Sequence, residues 1–193
     1  NLNGTNGLTI TGFPSGVMLS LATGDFNGDG IDDLAVGMFQ MDNSVYLILG
    51  PLNTTAAASV PLASLINDGV KGFKISSNLR DKLGASVAFV DINGDSKKDL
   101  IITAPDSTRS SIGGYLAVIY GASGPYDPSL NVNTMPSSLG FIITGAPSNR
   151  LGYSIAGGDV NGDGVDDIVV TSDSEPSTYV IFGNRDTTSF PWK

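Results

Sequence analysis

The chain has 193 residues, enough for one good domain or two small ones with a real core. Its formal net charge is −9 with no basic stripe, which excludes nucleic acid as a partner. Cys and His are both absent, which removes disulfide frameworks, zinc sites, thiol nucleophiles and the usual general bases. No apolar run approaches the roughly 20 residues of a membrane span, and no basic-then-apolar signal pattern opens the chain. It begins at Asn rather than Met, as a processed protein or a fragment would.

Taken in chain order, the first predicted strand is "LTITG" (8–12), and "MLSLATGD" (18–25) follows it into the acidic stretch "DFNGDGIDD" (25–33). Strands "DLAVG" (33–37) and "SVYLILG" (44–50) come next. The region 54–66, "TTAAASVPLASLI", is the nearest approach to a helix, but Pro61 limits it to one turn at most. "FKISS" (73–77) completes the set. The series then recurs as "GASVAFVD" (84–91), "DINGDSKKD" (91–99), "DLIIT" (99–103), "YLAVIYG" (115–121) and "FIITG" (141–145). It starts a third time with "GYSIAGGD" (152–159), "DVNGDGVDD" (159–167), "DIVVT" (167–171) and "TYVIFG" (178–183). The acidic loops start at 25, 91 and 159, so the repeat is 66 and then 68 residues. The chain is therefore a single region, 1–193, of three repeats at approximately 8–72, 73–140 and 141–193.

Every segment is short, β-branched or aromatic, and bounded by Gly, Pro, Asn or Asp, which predicts an all-β fold. "DLIIT" and "DIVVT" are almost continuously apolar, as strands buried on both faces are. Four strands per unit make a small antiparallel sheet, and several such sheets set radially make a β-propeller.

Eleven of the eighteen Asp lie in the three loops. Like charges this close call for a cation, and the donors are the hard oxygens that calcium takes six to eight of. Alternate loop residues point to a common centre, so positions 1, 3, 5 and 9 supply side chains: Asp25, Asn27, Asp29 and Asp33; Asp91, Asn93, Asp95 and Asp99; Asp159, Asn161, Asp163 and Asp167. Position 7 (Ile31, Lys97, Val165) offers its carbonyl. About three Ca²⁺ ions would take the net charge from −9 to −3. The glycines at positions 4 and 6 permit the turn, and Ser96 at position 6 of the second loop is the departure, expected to weaken that site. An EF-hand fails because its twelfth position would be Val36, Ile102 or Val170 rather than Glu, and its flanks would be helices. Solvated Asx turns without metal are the competing reading.

These residues resemble the FG-GAP repeat of integrin α-chain propellers and their microbial relatives. Leu83-Gly84 and Leu151-Gly152 stand at the FG position, and Ala104-Pro105 match the end of GAP. The first repeat has Val17-Met18 in place of FG and keeps only Gly37 of GAP, while Thr171-Ser172-Asp173 keep none of it. The resemblance implies a seven-bladed propeller used in extracellular adhesion or ligand recognition, with structural calcium and with recognition on the face away from it.

Four Asp outside the loops, Asp42, Asp106, Asp127 and Asp173, show no carboxylate-pair spacing and read as isolated surface residues, so catalysis is not expected. The function expected is a non-catalytic adhesion or recognition module for a protein or glycan ligand, extracellular or at the cell surface. The alternatives are a structural subunit of a surface filament and a non-catalytic module of a larger secreted enzyme. Antiparallel alternation places the turns after the second and fourth strands on one face, which offers Phe13, Phe39, Arg80, Arg109 and Arg150 as candidate partner-binding anchors. The sequons at Asn3 and Asn53 are candidate glycosylation acceptors. The strand 8–12 counts as the outer strand of a blade whose first three are absent, while the last blade lacks its own. Further blades of a longer propeller, or neighbouring copies of the chain joined head to tail, are therefore expected partners.

Overall fold

The β-branched and aromatic segments form strands, and the Gly, Pro, Asn and Asp clusters between them form the turns. In the computed structural model of the chain, which describes residues 7–14, 19–40, 42–52, 59–67, 69–106, 113–174 and 176–185, the strands in order are β1 (Thr9–Thr11), β2 (Leu19–Gly24), β3 (Asp33–Met38), β4 (Ser44–Ile48), β5 (Ser59–Pro61), β6 (Gly72–Ser76), β7 (Val87–Val90), β8 (Asp99–Ala104), β9 (Tyr115–Ile119), β10 (Ser129–Asn131), β11 (Gly140–Thr144), β12 (Leu151–Gly158), β13 (Asp167–Ser172) and β14 (Ser177–Ile181). Helix α1 (Ala63–Ile66) is one turn long and starts two residues after Pro61. Asn3, Asn53 and Arg109 lie outside the described residues.

Three antiparallel blades result, with orders β2-β3-β4-β6, β7-β8-β9-β11 and β12-β13-β14. The first strands of successive blades stand side by side, β2 by β7 and β7 by β12, which is the radial arrangement of a propeller. Strand β8 is buried along its whole length because it faces a neighbour on either side. Leu100 and Ile102 point to blade 1, where they meet Ala35, Val45, Leu47 and Phe26. Ile101, with Leu116 and Val118, points to blade 3, where it meets Ile168 and Val170. The remaining face of blade 1 (Val36, Met38, Tyr46, Ile48) is covered by Ile10 of β1, Val60 of β5, Leu62 between β5 and α1, and Leu65 of α1.

Strands β5 and β10 were not predicted, since three residues inside a long connection show no periodicity. They explain what the long connections 51–72 and 122–140 do. Each runs back to the preceding blade and adds a parallel strand to an outer strand: β10 to β6 with Ser129 opposite Lys74, and β5 to β1 with Ser59 opposite Thr9. "GLTIT" (7–11) and "GFKIS" (72–76) correspond residue for residue, so these two pairings have the same register. Strand β1 thus sits where an outer strand of a preceding blade belongs. One edge is held by β5 of its own chain, and among the described residues no strand pairs with the other.

Candidate metal centres

The three acidic loops join β2 to β3, β7 to β8 and β12 to β13, and their hydrogen bonding repeats almost bond for bond. At position 1, one carboxylate oxygen of Asp25, Asp91 or Asp159 accepts from the position 5 amide at 3.0–3.1 Å, and the other accepts from the position 6 amide at 2.8–2.9 Å. Asn27, Asn93 and Asn161 each accept the position 5 amide at 2.9 Å through Oδ1. Asp29, Asp95 and Asp163 accept the position 7 amides of Ile31, Lys97 and Val165 at 2.8–2.9 Å. Such a turn needs left-handed backbone at two places. Gly28, Gly94 and Gly162 provide it at position 4, and at position 6 Ser96 is forced to φ 72°, beside 85° at Gly30 and 84° at Gly164. A side chain in that region costs about 1–2 kcal/mol.

Position 9 behaves differently. Asp33, Asp99 and Asp167 are buried. Their Oδ2 accepts the position 2 amide (Phe26, Ile92, Val160) at 2.9–3.1 Å, and their Oδ1 accepts the amide of Gly50, Gly121 or Gly183 at the end of the third strand at 2.8–2.9 Å. This carboxylate ties the loop to its own blade. Burial pushes the Asp99 carboxyl up to about 7, with the charges of Asp95 and Asp91 adding to the shift, and burial raises Asp33 as well.

The donor set fits a hard dication: carboxylate, amide, carboxylate, backbone carbonyl, carboxylate, with no soft ligand. In the structure these oxygens are turned to loop amides, and among the described residues no three acidic side chains stand close enough to hold a metal ion. Asp33 Oδ2 takes two amides, those of Phe26 and Asn27, and Oδ1 takes a third, so about one of its roughly four lone-pair sites is left. The position 1 carboxylates of Asp25 and Asp159 likewise accept three backbone amides each, from positions 4, 5 and 6, so positions 3 and 5 are the freer donors.

The loops are also joined to one another. The Asp25 carbonyl accepts the Lys98 amide at 2.9 Å, and the Asp91 carbonyl accepts the Asp166 amide at 3.2 Å, so position 8 of each loop bonds position 1 of the loop before it. Lys98 Nζ reaches Asp166 at 2.6 Å, and the Lys97 stem lies against Gly28.

At the other end of the blades the turns after the second and fourth strands meet. Arg150 is shared between Asp106 (2.9 Å) and Asp173 (2.7 Å), and Lys82 contacts Asp106 at 2.5 Å. Asp42 accepts from Tyr46 at 2.6 Å and from Lys74 at 3.0 Å. The reading of Asp42, Asp106 and Asp173 as isolated surface residues is therefore corrected: each is paired across strands or between blades, at sequence separations that no local pattern reveals. Arg150 is engaged between two carboxylates, and Phe13 is half-buried with its ring edge-on to Tyr46 at 6.2 Å. Phe39 is half-buried in a turn and Arg80 is exposed. Asp81 was not singled out from the sequence. It is fully buried and accepts from Tyr115 at 2.6 Å and Ser77 at 2.6 Å, joining the last connection of blade 1 to blade 2.

Comparison with known proteins agrees with this architecture. The chain is 28% identical over 183 residues to integrin alpha pat-2 of Caenorhabditis elegans, covering 86% of this chain and 14% of that protein. It is 31% identical over 169 residues to integrin alpha-V of Gallus gallus, covering 79% and 13%. It is 28% identical over 167 residues to the phosphatidylinositol-glycan-specific phospholipase D of Rattus norvegicus, covering 81% and 18%. The chain thus spans less than a fifth of the length of these relatives. The FG-GAP repeat matches residues 19–48, 83–119 and 151–188, one segment in each blade, with every acidic loop inside a match. This chain belongs to the FG-GAP repeat family.

Proposed function

We propose that the chain is a calcium-stabilised, non-catalytic propeller module that acts outside the cell or at its surface in adhesion or in recognition of a protein or glycan ligand. The observation that carries this reading is the threefold recurrence of one oxygen-rich loop with one hydrogen-bond pattern, in a chain similar to integrin alpha chains over most of its length. Asp25, Asn27, Asp29, the Ile31 carbonyl and Asp33 would hold the first of about three ions. The corresponding sets are Asp91, Asn93, Asp95, Lys97 and Asp99, and Asp159, Asn161, Asp163, Val165 and Asp167. Bound calcium supplies positive charge that offsets the mutual repulsion of these carboxylates. Phe39 and Arg80, at the end of the blades away from the loops, are the anchors proposed for a ligand.

The test is thermal melting in excess chelator and after calcium is restored. Melting should fall by many degrees and recover, because an ion that binds only the folded chain stabilises it by mass action. An unchanged curve sinks the cation assignment. Recognition is tested on a panel of immobilised matrix proteins and glycans, where Phe39→Ala and Arg80→Ala should weaken binding without altering the calcium response. The similarity to a phospholipase D favours a second reading, a non-catalytic module of a larger secreted enzyme. Full calcium dependence with no ligand on the panel would support that reading over adhesion.

A further inference from the structure

Each acidic loop carries an Asn-Gly pair at positions 3 and 4: Asn27-Gly28, Asn93-Gly94 and Asn161-Gly162. Such a pair can react with itself. The glycine backbone nitrogen loses its proton and attacks the asparagine Cγ. A new C–N bond closes a succinimide ring, and the Cγ–Nδ2 bond breaks to release ammonia. Water then opens the ring at one carbonyl or the other, leaving aspartate or isoaspartate. Glycine favours the step because no side chain blocks the approach, and the two reacting groups sit on neighbouring residues. The attacking nitrogen must first give up its proton, so whatever holds that N–H sets the rate.

The three loops hold it differently. The Gly28 amide donates to Asp25 Oδ1 and the Gly162 amide to Asp159 Oδ1, both at 2.7 Å. A carboxylate in that place also opposes a negative charge on the nitrogen. In the second loop Asp91 takes the amides of Asp95 and Ser96, and among the described residues the Gly94 amide makes no hydrogen bond. The backbone differs in the same sense. Gly94 has φ 68°, beside 75° at Gly28 and 78° at Gly162, and Ser96 has φ 72°, beside 85° at Gly30 and 84° at Gly164. The Asn93 side chain is also held more loosely: its Nδ2 donates to Asp95 at 3.2 Å, where Asn27 and Asn161 reach Asp29 and Asp163 at 2.9 and 2.8 Å.

A cation completes the setting. A Cβ on Gly94 would stand 2.8 Å from Arg185 Cγ and 3.4 Å from its Nε, so the guanidinium lies beside the attacking nitrogen and favours its anion. The Lys97 stem takes this place at Gly28, and nothing comes within 4 Å at Gly162. The second loop alone joins an unbonded glycine amide to a neighbouring cation.

We propose that Asn93 is a site of spontaneous deamidation, the fastest of the three loop Asn-Gly pairs in the folded chain. Conversion replaces the side-chain donor to Asp95 by an anion, which adds a like charge to the loop of Asp91 and Asp95. Isoaspartate also routes the main chain through Cβ and lengthens the turn. The inference depends neither on calcium nor on a ligand.

The control is built into the sequence. The flanking residues are nearly alike, "DFNGDG", "DINGDS" and "DVNGDG", so the three pairs should convert at similar rates once the chain is unfolded. The full chain is incubated at mildly alkaline pH in excess chelator, folded and well below its melting temperature in one arm, in concentrated urea in the other. Peptide mass mapping reads conversion at each asparagine, and isoaspartyl methyltransferase labelling marks the isoaspartate. In the folded chain Asn93 should convert about fivefold faster than Asn27 and Asn161, the factor that one hydrogen bond of ordinary net strength represents. In urea that lead should vanish. Asn93 no faster than the other two in the folded chain, or an equal lead in urea, overturns the proposal.

Discussion

Asp99→Ala separates what the acidic loops do for the fold from what they do for a cation. The Asp99 carboxylate is buried and accepts the amides of Gly121 at 2.8 Å and Ile92 at 3.1 Å. Alanine leaves both amides buried without a partner, at about 1–3 kcal/mol each. Part of this is returned because the carboxyl is itself poorly placed as an anion, its value being pushed up to about 7 by burial. The net loss should be about 3 kcal/mol, a fall in melting temperature of roughly 6–12 °C for a chain of this size. This loss should persist in excess chelator, since it comes from hydrogen bonds within the blade. Asp95→Ala is the contrast: Asp95 is exposed and accepts the Lys97 amide and the Asn93 side-chain amide, groups that water can satisfy in its place, so in chelator it should cost about 1 kcal/mol or less. In calcium the Asp95→Ala loss should grow, because a donor to the ion is gone. The assay is thermal melting of both variants and the unmodified chain with and without calcium. Asp99→Ala within about 0.5 kcal/mol of the unmodified chain in chelator would refute the structural role of position 9.

Ser96→Gly should stabilise the chain by up to about 1 kcal/mol, since it relieves a left-handed serine at some cost in unfolded-state entropy, and calorimetry should show the second loop gaining calcium affinity. No change in either quantity would contradict the strain argument. Burial alone would raise the Asp106 carboxyl, but hydrogen bonds and charge from Lys82 and Arg150 outweigh it and hold the group below its ordinary 3.8. A value lowered on folding stabilises fully above the unfolded value and is lost as pH falls through the folded one, so Arg150→Ala should cost about 1 kcal/mol or less at neutral pH and flatten the acid limb below about pH 4. An acid limb unchanged in Arg150→Ala would remove this pairing as its source. Gly37→Ala would place a methyl group 2.4 Å from the Gly84 carbonyl oxygen and 2.3 Å from Ser20 Oγ, so it should push blades 1 and 2 apart and cost about 1–3 kcal/mol in chemical denaturation. A neutral Gly37→Ala would mean that the blades are looser than their contacts indicate.

Local pattern carried most of the architecture. Apolar strands of five to six residues, punctuated by Gly, Asn and Asp and repeated in phase, identify three blades without any tertiary information, because strand periodicity and turn chemistry act over a few residues. The oxygen-rich loops were legible for the same reason: positions 1 to 9 are neighbours in sequence, and the loop's own amides orient them. The partners of isolated charges were not. Asp106 meets Arg150 across 44 positions and Tyr115 meets Asp81 across 34, and no spacing rule acts over such distances. The division of labour within each loop was hidden too, since Asp99 is tied down by Gly121, which lies 22 positions away, just past the end of β9. Strands β5 and β10 escaped notice because three residues have no period, and they exist only where a preceding outer strand offers them an edge. Sequence by itself determined the blades and the oxygen donors, which local chemistry specifies. Tertiary structure decided which carboxylates hold the blades together, which charges are spent on one another, and how each long connection latches onto the blade before it, because those contacts form only once the blades stand side by side.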